Sequence, residues 1–119
     1  MNKILSSTPH IVGGFGIWLT VNGILHDIFI LASEHGKKYD RDLLRLLMDG
    51  HVLITCGVVL LLSFIPMKEN SSFAYWISLC MCLSILVYCF MIWPFLKSMV
   101  TLLFSLIAIT LIIIKLKQI

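Results

Sequence analysis

Charge is what this sequence has least of. Only 13% of its 119 residues are Asp, Glu, Lys or Arg, while 60% are hydrophobic and the mean hydropathy is +1.03. That balance lies far outside the range of a soluble domain. Residues 98–114 contain no charged side chain at all. A helix over that stretch has no polar face to turn to water, which argues against a soluble bundle and for a surface that faces lipid.

Other absences narrow the reading further. The nine Lys and Arg give a net charge of +3. They are scattered over segment ends and form no basic stripe with interleaved aromatics, so no nucleic-acid partner is expected. Cys56, Cys80, Cys82 and Cys89 all fall inside apolar segments. Neither a secreted disulfide framework nor a loop zinc site follows, and they read as small packing residues with no metal to bind. Cys80 and Cys82 have the wrong spacing for a CxxC redox pair and point to different sides of a helix, which disfavours a thiol oxidoreductase. No serine sits in a nucleophile motif, and the loops are too short to form a soluble catalytic domain, so a non-enzymatic role is expected. After Lys3 only two apolar residues precede the polar run 6–9. That is not a signal-peptide core, and the first helix is expected to stay in the mature protein. The sequon match Asn70-Ser71-Ser72 is read as chance.

What is present is four apolar segments, 11–32, 43–65, 73–93 and 95–114, each near the ~20 residues that cross a bilayer. Together with their start and stop signals they predict an all-α polytopic membrane protein. Its single domain, 1–119, would be an antiparallel four-transmembrane-helix bundle with helices at 9–32, 42–65, 72–93 and 94–116. Thr8 before Pro9 is a helix start, and Gly36 marks the end of the first helix. Asp40 or Asp42 caps the second helix and Pro66 stops it. Residues 68–72 form a turn and cap, with Tyr75 and Trp76 suited to the interfacial aromatic belt. Trp93-Pro94 is read as a tight hairpin, because one continuous helix of ~41 residues would overrun the membrane.

Small or weakly polar residues recur at three- and four-residue steps on one face of each helix. In the first these are Gly13, Gly16, Thr20, Gly23 and Asp27; in the second, Arg45, Asp49, Val52, Cys56, Val59 and Ser63. In the third they are Tyr75, Ser78, Cys82, Ile85 and Cys89, and in the fourth Ser98, Thr101, Ser105 and Ala108. Such seams predict close left-handed packing. Four crossings put both termini on the same side of a plasma or inner membrane. Lys37, Lys38, Arg41, Arg45 and Lys97 at one face stand against Lys3, Lys68, Lys115 and Lys117 at the other, which leans towards a cytoplasmic first loop.

The ionisable residues concentrate at one end. Asn22, His26 and Asp27 lie near the end of the first helix and Arg45, Asp49 and His51 near the start of the second, with Tyr88 and Lys97 approaching from the other hairpin. Charged groups at membrane depth are costly unless paired, hydrated or functional. Asn22, His26, Asp27, Arg45, Asp49, Tyr88 and Lys97 are therefore the candidate polar pocket or ligand-binding set. The competing reading is that Arg45 pairs with Asp49 or Asp27 and only fixes helix register. His26 and His51, at similar depth on adjacent helices, resemble a minimal bis-histidine haem site. His51, however, lies roughly 160° around its helix from Asp49, so a haem is not the leading expectation. His10 and His35, near helix ends, are expected to be solvated.

Gly23-Ile24-Leu25-His26, followed one hairpin later by Asp49-Gly50-His51 and an apolar run containing Gly57, resembles small four-helix membrane families, loosely DoxX-like. The resemblance covers the first half of the chain, implies a compact four-helix membrane fold and carries over no activity. The first helix lacks the central glutamate of small multidrug transporters. The leading expectation is a small multi-pass accessory or interaction subunit with a one-sided intramembrane polar pocket, whose partners are the lipid bilayer and a second copy or another membrane protein. The alternatives are a small solute or proton-coupled transporter and a haem-binding electron carrier.

Overall fold

The computed structural model describes residues 2–95 and 97–119, so Met1, and Leu96 within the fourth apolar segment, lie outside the described residues. Among the described residues the chain is helical and forms no strand. The elements are α1 (Asn2–Ser6), α2 (Thr8–Ala32), a 3-10 turn (Glu34–Lys37), α3 (Arg41–Leu62), α4 (Phe64–Lys68), α5 (Ser72–Ile92) and α6 (Met99–Gln118). The helices α2, α3, α5 and α6 are long and apolar enough to cross a membrane. At 1.5 Å per residue, 20 residues span ~30 Å, the thickness of a bilayer's hydrocarbon core. Large apolar side chains stay exposed on all four, among them Ile28, Leu62, Phe90 and Ile107.

Helix boundaries follow local chemistry and depart from the sequence expectation in three places. Thr8 does not cap α2. Ser7 is the cap residue, and its amide already bonds the carbonyls of Lys3 and Ile4, because the chain is helical from Asn2. The Thr8 hydroxyl is left buried without a partner. Pro66 does not stop the second helix at its own position. The break falls at Ser63 and Pro66 sits inside α4, since a proline ring clashes with the carbonyl four residues earlier, here that of Leu62. The fourth helix begins at Met99 rather than 94: the turn at Trp93–Phe95 is closed by the Phe95 amide on the Ile92 carbonyl at 2.8 Å, and Lys97 and Ser98 are irregular, the Met99 amide bonding back to the Lys97 carbonyl at 3.1 Å.

Of the two caps weighed for α3, Asp40 makes the bond, its carboxylate accepting from the Leu43 amide at 2.9 Å. Asp40→Ala is expected to cost about 1 kcal/mol and to lower the midpoint of thermal unfolding followed by circular dichroism. Gly36 is needed for a close approach rather than for left-handed backbone. No glycine has positive φ, but a Cβ at Gly36 would strike the Leu31 carbonyl. Asn70, at φ 60°, takes the left-handed position after α4, which asparagine tolerates better than most residues.

The helices form a cycle in which α2 packs on α3, α3 on α5, α5 on α6, and α6 back on α2. The α2–α3 contact is the most extensive and is built on glycine notches. A Cβ on Gly16 would lie 2.9 Å from the Gly57 carbonyl oxygen, and one on Gly57 would lie 2.7 Å from that of Gly16. A Cβ on Gly23 would lie 2.7 Å from the Gly50 carbonyl oxygen. Residue numbers rise along α2 as they fall along α3. The backbones touch here as they do at small-residue crossings in membranes.

All five predicted seam residues of α2 lie on or beside this crossing, from Gly13 against Phe64 to Asp27 against Gly50. The predicted α3 seam is not the one α2 uses. Gly50, Ile54 and Gly57 meet α2, followed by Phe64 of α4, while buried Cys56, with Val52 packed on the cluster, belongs to the central core with Phe15, Leu60, Cys82 and Ile85. The α5 seam and Thr101, Ser105 and Ala108 of α6 are buried, and Phe15 stacks on Phe104 at 4.7 Å.

Candidate functional site

The cycle of helices leaves a cavity of about 870 Å³ where α2 and α5 end and α3 and α6 begin. Asn22, Leu25, His26 and Phe29 contribute the α2 wall and Arg45, Leu46, Asp49 and Leu53 the α3 wall. Both sets follow the three- and four-residue spacing that places side chains on one helix face. Tyr88, Cys89 and Ile92 close the α5 side, and Phe95, Ser98 and Thr101 the side where α6 starts. The wall is mainly apolar, with polar groups from all four long helices or their immediate ends.

Five of the seven residues expected from sequence, Asn22, His26, Arg45, Asp49 and Tyr88, line this one cavity. Asp27 does not. Its carboxylate fills the notch at Gly50, against which a Cβ would collide, with Oδ1 3.4 Å from Nδ1 of His26. Asp27 therefore belongs to the α2–α3 crossing behind the wall. Lys97 is exposed and outside the cavity, because the late start of α6 leaves it in the irregular link rather than on an inward helix face.

The register-fixing ion pair expected for Arg45 does not form. Among the described residues Lys37 pairs with Glu34 at 3.1 Å, and the other close approach of a basic to an acidic side chain is His26 Nδ1 to Asp27 Oδ1 at 3.4 Å. Arg45 and Asp49 thus present a guanidinium and a carboxyl group to the same cavity, and Arg45 makes no salt bridge to Asp49 or to Asp27. Deeper in the wall, Ser98 donates to the Thr101 hydroxyl at 2.9 Å, and the Trp18 indole donates to the same oxygen at 3.1 Å. Asn22 donates to the Trp18 carbonyl at 2.7 Å. These bonds tie α2 to α6. Trp18 was not anticipated from sequence. Its signal there is that a tryptophan inside an apolar helix needs a partner for its N–H.

The two candidate haem ligands lie apart. His26 lines the cavity, but His51 does not. It is exposed, with Nε2 3.4 Å from the Thr55 hydroxyl one turn along α3, so the two imidazoles do not face one space. Among the described residues no three His, Cys, Asp or Glu side chains converge as a metal site. The cysteines are free: Cys82 is fully buried and Cys80 exposed.

Fold and cavity together define a small four-helix protein, apolar enough to cross a membrane, with an opening at one end. No family model matches the chain, and no curated protein or solved structure matches it either.

Proposed function

We propose that this chain is a multi-pass protein of a plasma or inner membrane, with four antiparallel spans and both termini on one side. It serves as a non-enzymatic accessory or interaction subunit that holds a small amphipathic ligand in its one-ended cavity. The observation that carries this reading is the pairing state of the wall: Arg45 and Asp49 line a mostly apolar cavity and neither has a salt-bridge partner. A charged group without a partner at the edge of hydrocarbon is costly, and a ligand with an apolar body and a polar head offsets that cost while filling the apolar wall.

Binding fits the geometry better than passage. The cavity walls reach inward to Leu53 and Thr101, and beyond them the centre is closed by fully buried Phe15, Leu19, Leu60 and Cys82. The exposed apolar belt is matched to lipid, and a second copy or another membrane protein would dock on it within the bilayer.

A fluorescent amphiphile with an anionic head, titrated into the purified chain in nonionic detergent, tests the reading. Saturable binding at one site per chain is expected. Arg45→Gln should weaken it about tenfold, the size of one lost charged hydrogen bond. Partition that never saturates, or equal affinity in the variant, would contradict the proposal.

A further inference from the structure

A second, smaller cavity of about 250 Å³ lies at the opposite end of the bundle. Its rim carries Lys68 from the end of α4, Lys115 from the last turn of α6 and His10 from the first turn of α2, and its floor is Pro9, Met67 and Tyr75. The floor is fixed: Tyr75 is fully buried and its hydroxyl donates to the Met67 carbonyl at 3.2 Å. The rim is partly ordered as well. The Lys68 ammonium sits 5.4 Å from the centre of the Phe64 ring, and the same ring meets His10 edge-on at 5.3 Å. No carboxylate lines the cavity. The acidic residues of the sequence are Asp27, Glu34, Asp40, Asp42, Asp49 and Glu69, and only Glu69 belongs to this end.

We infer that this niche binds the phosphate of an anionic glycerophospholipid. Cations from two helices converge at the depth where a span meets the head groups, which is how basic pockets between membrane helices take lipid phosphates. Lysine stems lie along apolar surface while their ammonium groups reach that level. A phosphodiester fits the volume, and the acyl chains stay in the surrounding hydrocarbon. The site is separate from the larger cavity and shares no lining residue with it.

The experiment is native mass spectrometry of the full chain released from detergent, with phosphatidylglycerol or phosphatidylcholine added in separate arms and inorganic phosphate added to phosphatidylglycerol in a third. Two double variants are compared with the unaltered chain. Lys68→Gln with Lys115→Gln empties the niche of cations. Lys3→Gln with Lys117→Gln removes the same charge from the same end but outside the niche. The unaltered chain should retain phosphatidylglycerol over phosphatidylcholine about tenfold, the first variant should lose that preference, and the second should keep it within about twofold. Helical circular dichroism confirms that both variants fold, and Lys115→Gln alone, with a smaller loss, serves if the first does not. Equal loss in both double variants would show diffuse attraction and overturn the site, as would no loss in either. Displacement of the lipid by millimolar inorganic phosphate would overturn the lipid as occupant in favour of a free anion.

Discussion

Gly57→Val is expected to prevent stable assembly of the bundle. A Cβ at position 57 would meet the Thr20 hydroxyl and lie 2.7 Å from both the Gly16 carbonyl oxygen and the Thr20 amide nitrogen. Two of these three obstacles are backbone, so rotamer changes do not relieve the clash and the helices must separate. Separation also opens the reciprocal notch at Gly16 and lifts Thr20, whose hydroxyl donates to the Gly16 carbonyl at 2.8 Å. Overpacking of this kind costs about 3 kcal/mol, a large share of the stability of a small domain. Gly14→Ala provides the contrast. A Cβ there meets nothing nearer than Phe104 at 3.9 Å, and removing a mid-helix glycine is worth about 0.5–1 kcal/mol in favour of the fold. Thermal unfolding in detergent, followed by circular dichroism, should place Gly57→Val far below the unaltered protein and Gly14→Ala at or above it. Matching midpoints for the two variants would show that the glycine crossing does not hold α2 to α3.

Leu53→Trp is expected to abolish ligand binding without unfolding the chain. Leu53 forms the inner wall of the large cavity and packs against the core, so a larger aromatic side chain has empty volume to grow into. Filling the apolar floor removes the space for a ligand body while leaving Arg45 and Asp49 in place at the mouth. The fluorescent amphiphile should then bind at least about tenfold more weakly, with the unfolding midpoint unchanged or raised. Retained affinity would mean that the amphiphile sits on the outer surface of the helices. The pair of variants also separates head from body: Arg45→Gln removes the polar contact and Leu53→Trp the apolar one.

The four long apolar helices are readable from hydropathy, most plainly at residues 98–114, which carry no charge on any face. Their ends are less so. Pro66 and Trp93-Pro94 announce interruptions, but the first break falls three residues before its proline, at Ser63, and α6 starts five residues after Pro94, at Met99. The α2 seam was legible since Gly16 and Gly23 are two turns apart and define one face. On α3 the same two-turn spacing joins Gly50 to Gly57, yet the stripe of cysteine, valine and serine competed with it. Only three-dimensional packing shows that this second stripe holds Cys56 in the core while the glycines face α2.

The site divides in the same way. Asn22, His26, Arg45, Asp49 and Tyr88 stand out as polar residues in apolar helices, and they line the cavity. Leu25, Phe29, Leu46 and Ile92 do the same, but an apolar cavity wall and a lipid-facing surface look identical in sequence. Asp27 and Lys97 were misplaced for opposite reasons. One is taken up by a glycine notch on a neighbouring helix, and the other is stranded outside a helix that starts late.

Four crossings of a membrane are what the proposed role requires, and sidedness of labelling tests them most directly. Single cysteines placed at Glu34, Glu69 and Lys97 would be exposed in sealed membrane vesicles to a maleimide that does not cross lipid. The natural Cys56, Cys80, Cys82 and Cys89 lie within α3 and α5, and the unaltered chain measures their background. Four spans predict that positions 34 and 97 react from the same side and position 69 only from the other. Reaction of all three from one side, in intact vesicles, would contradict it.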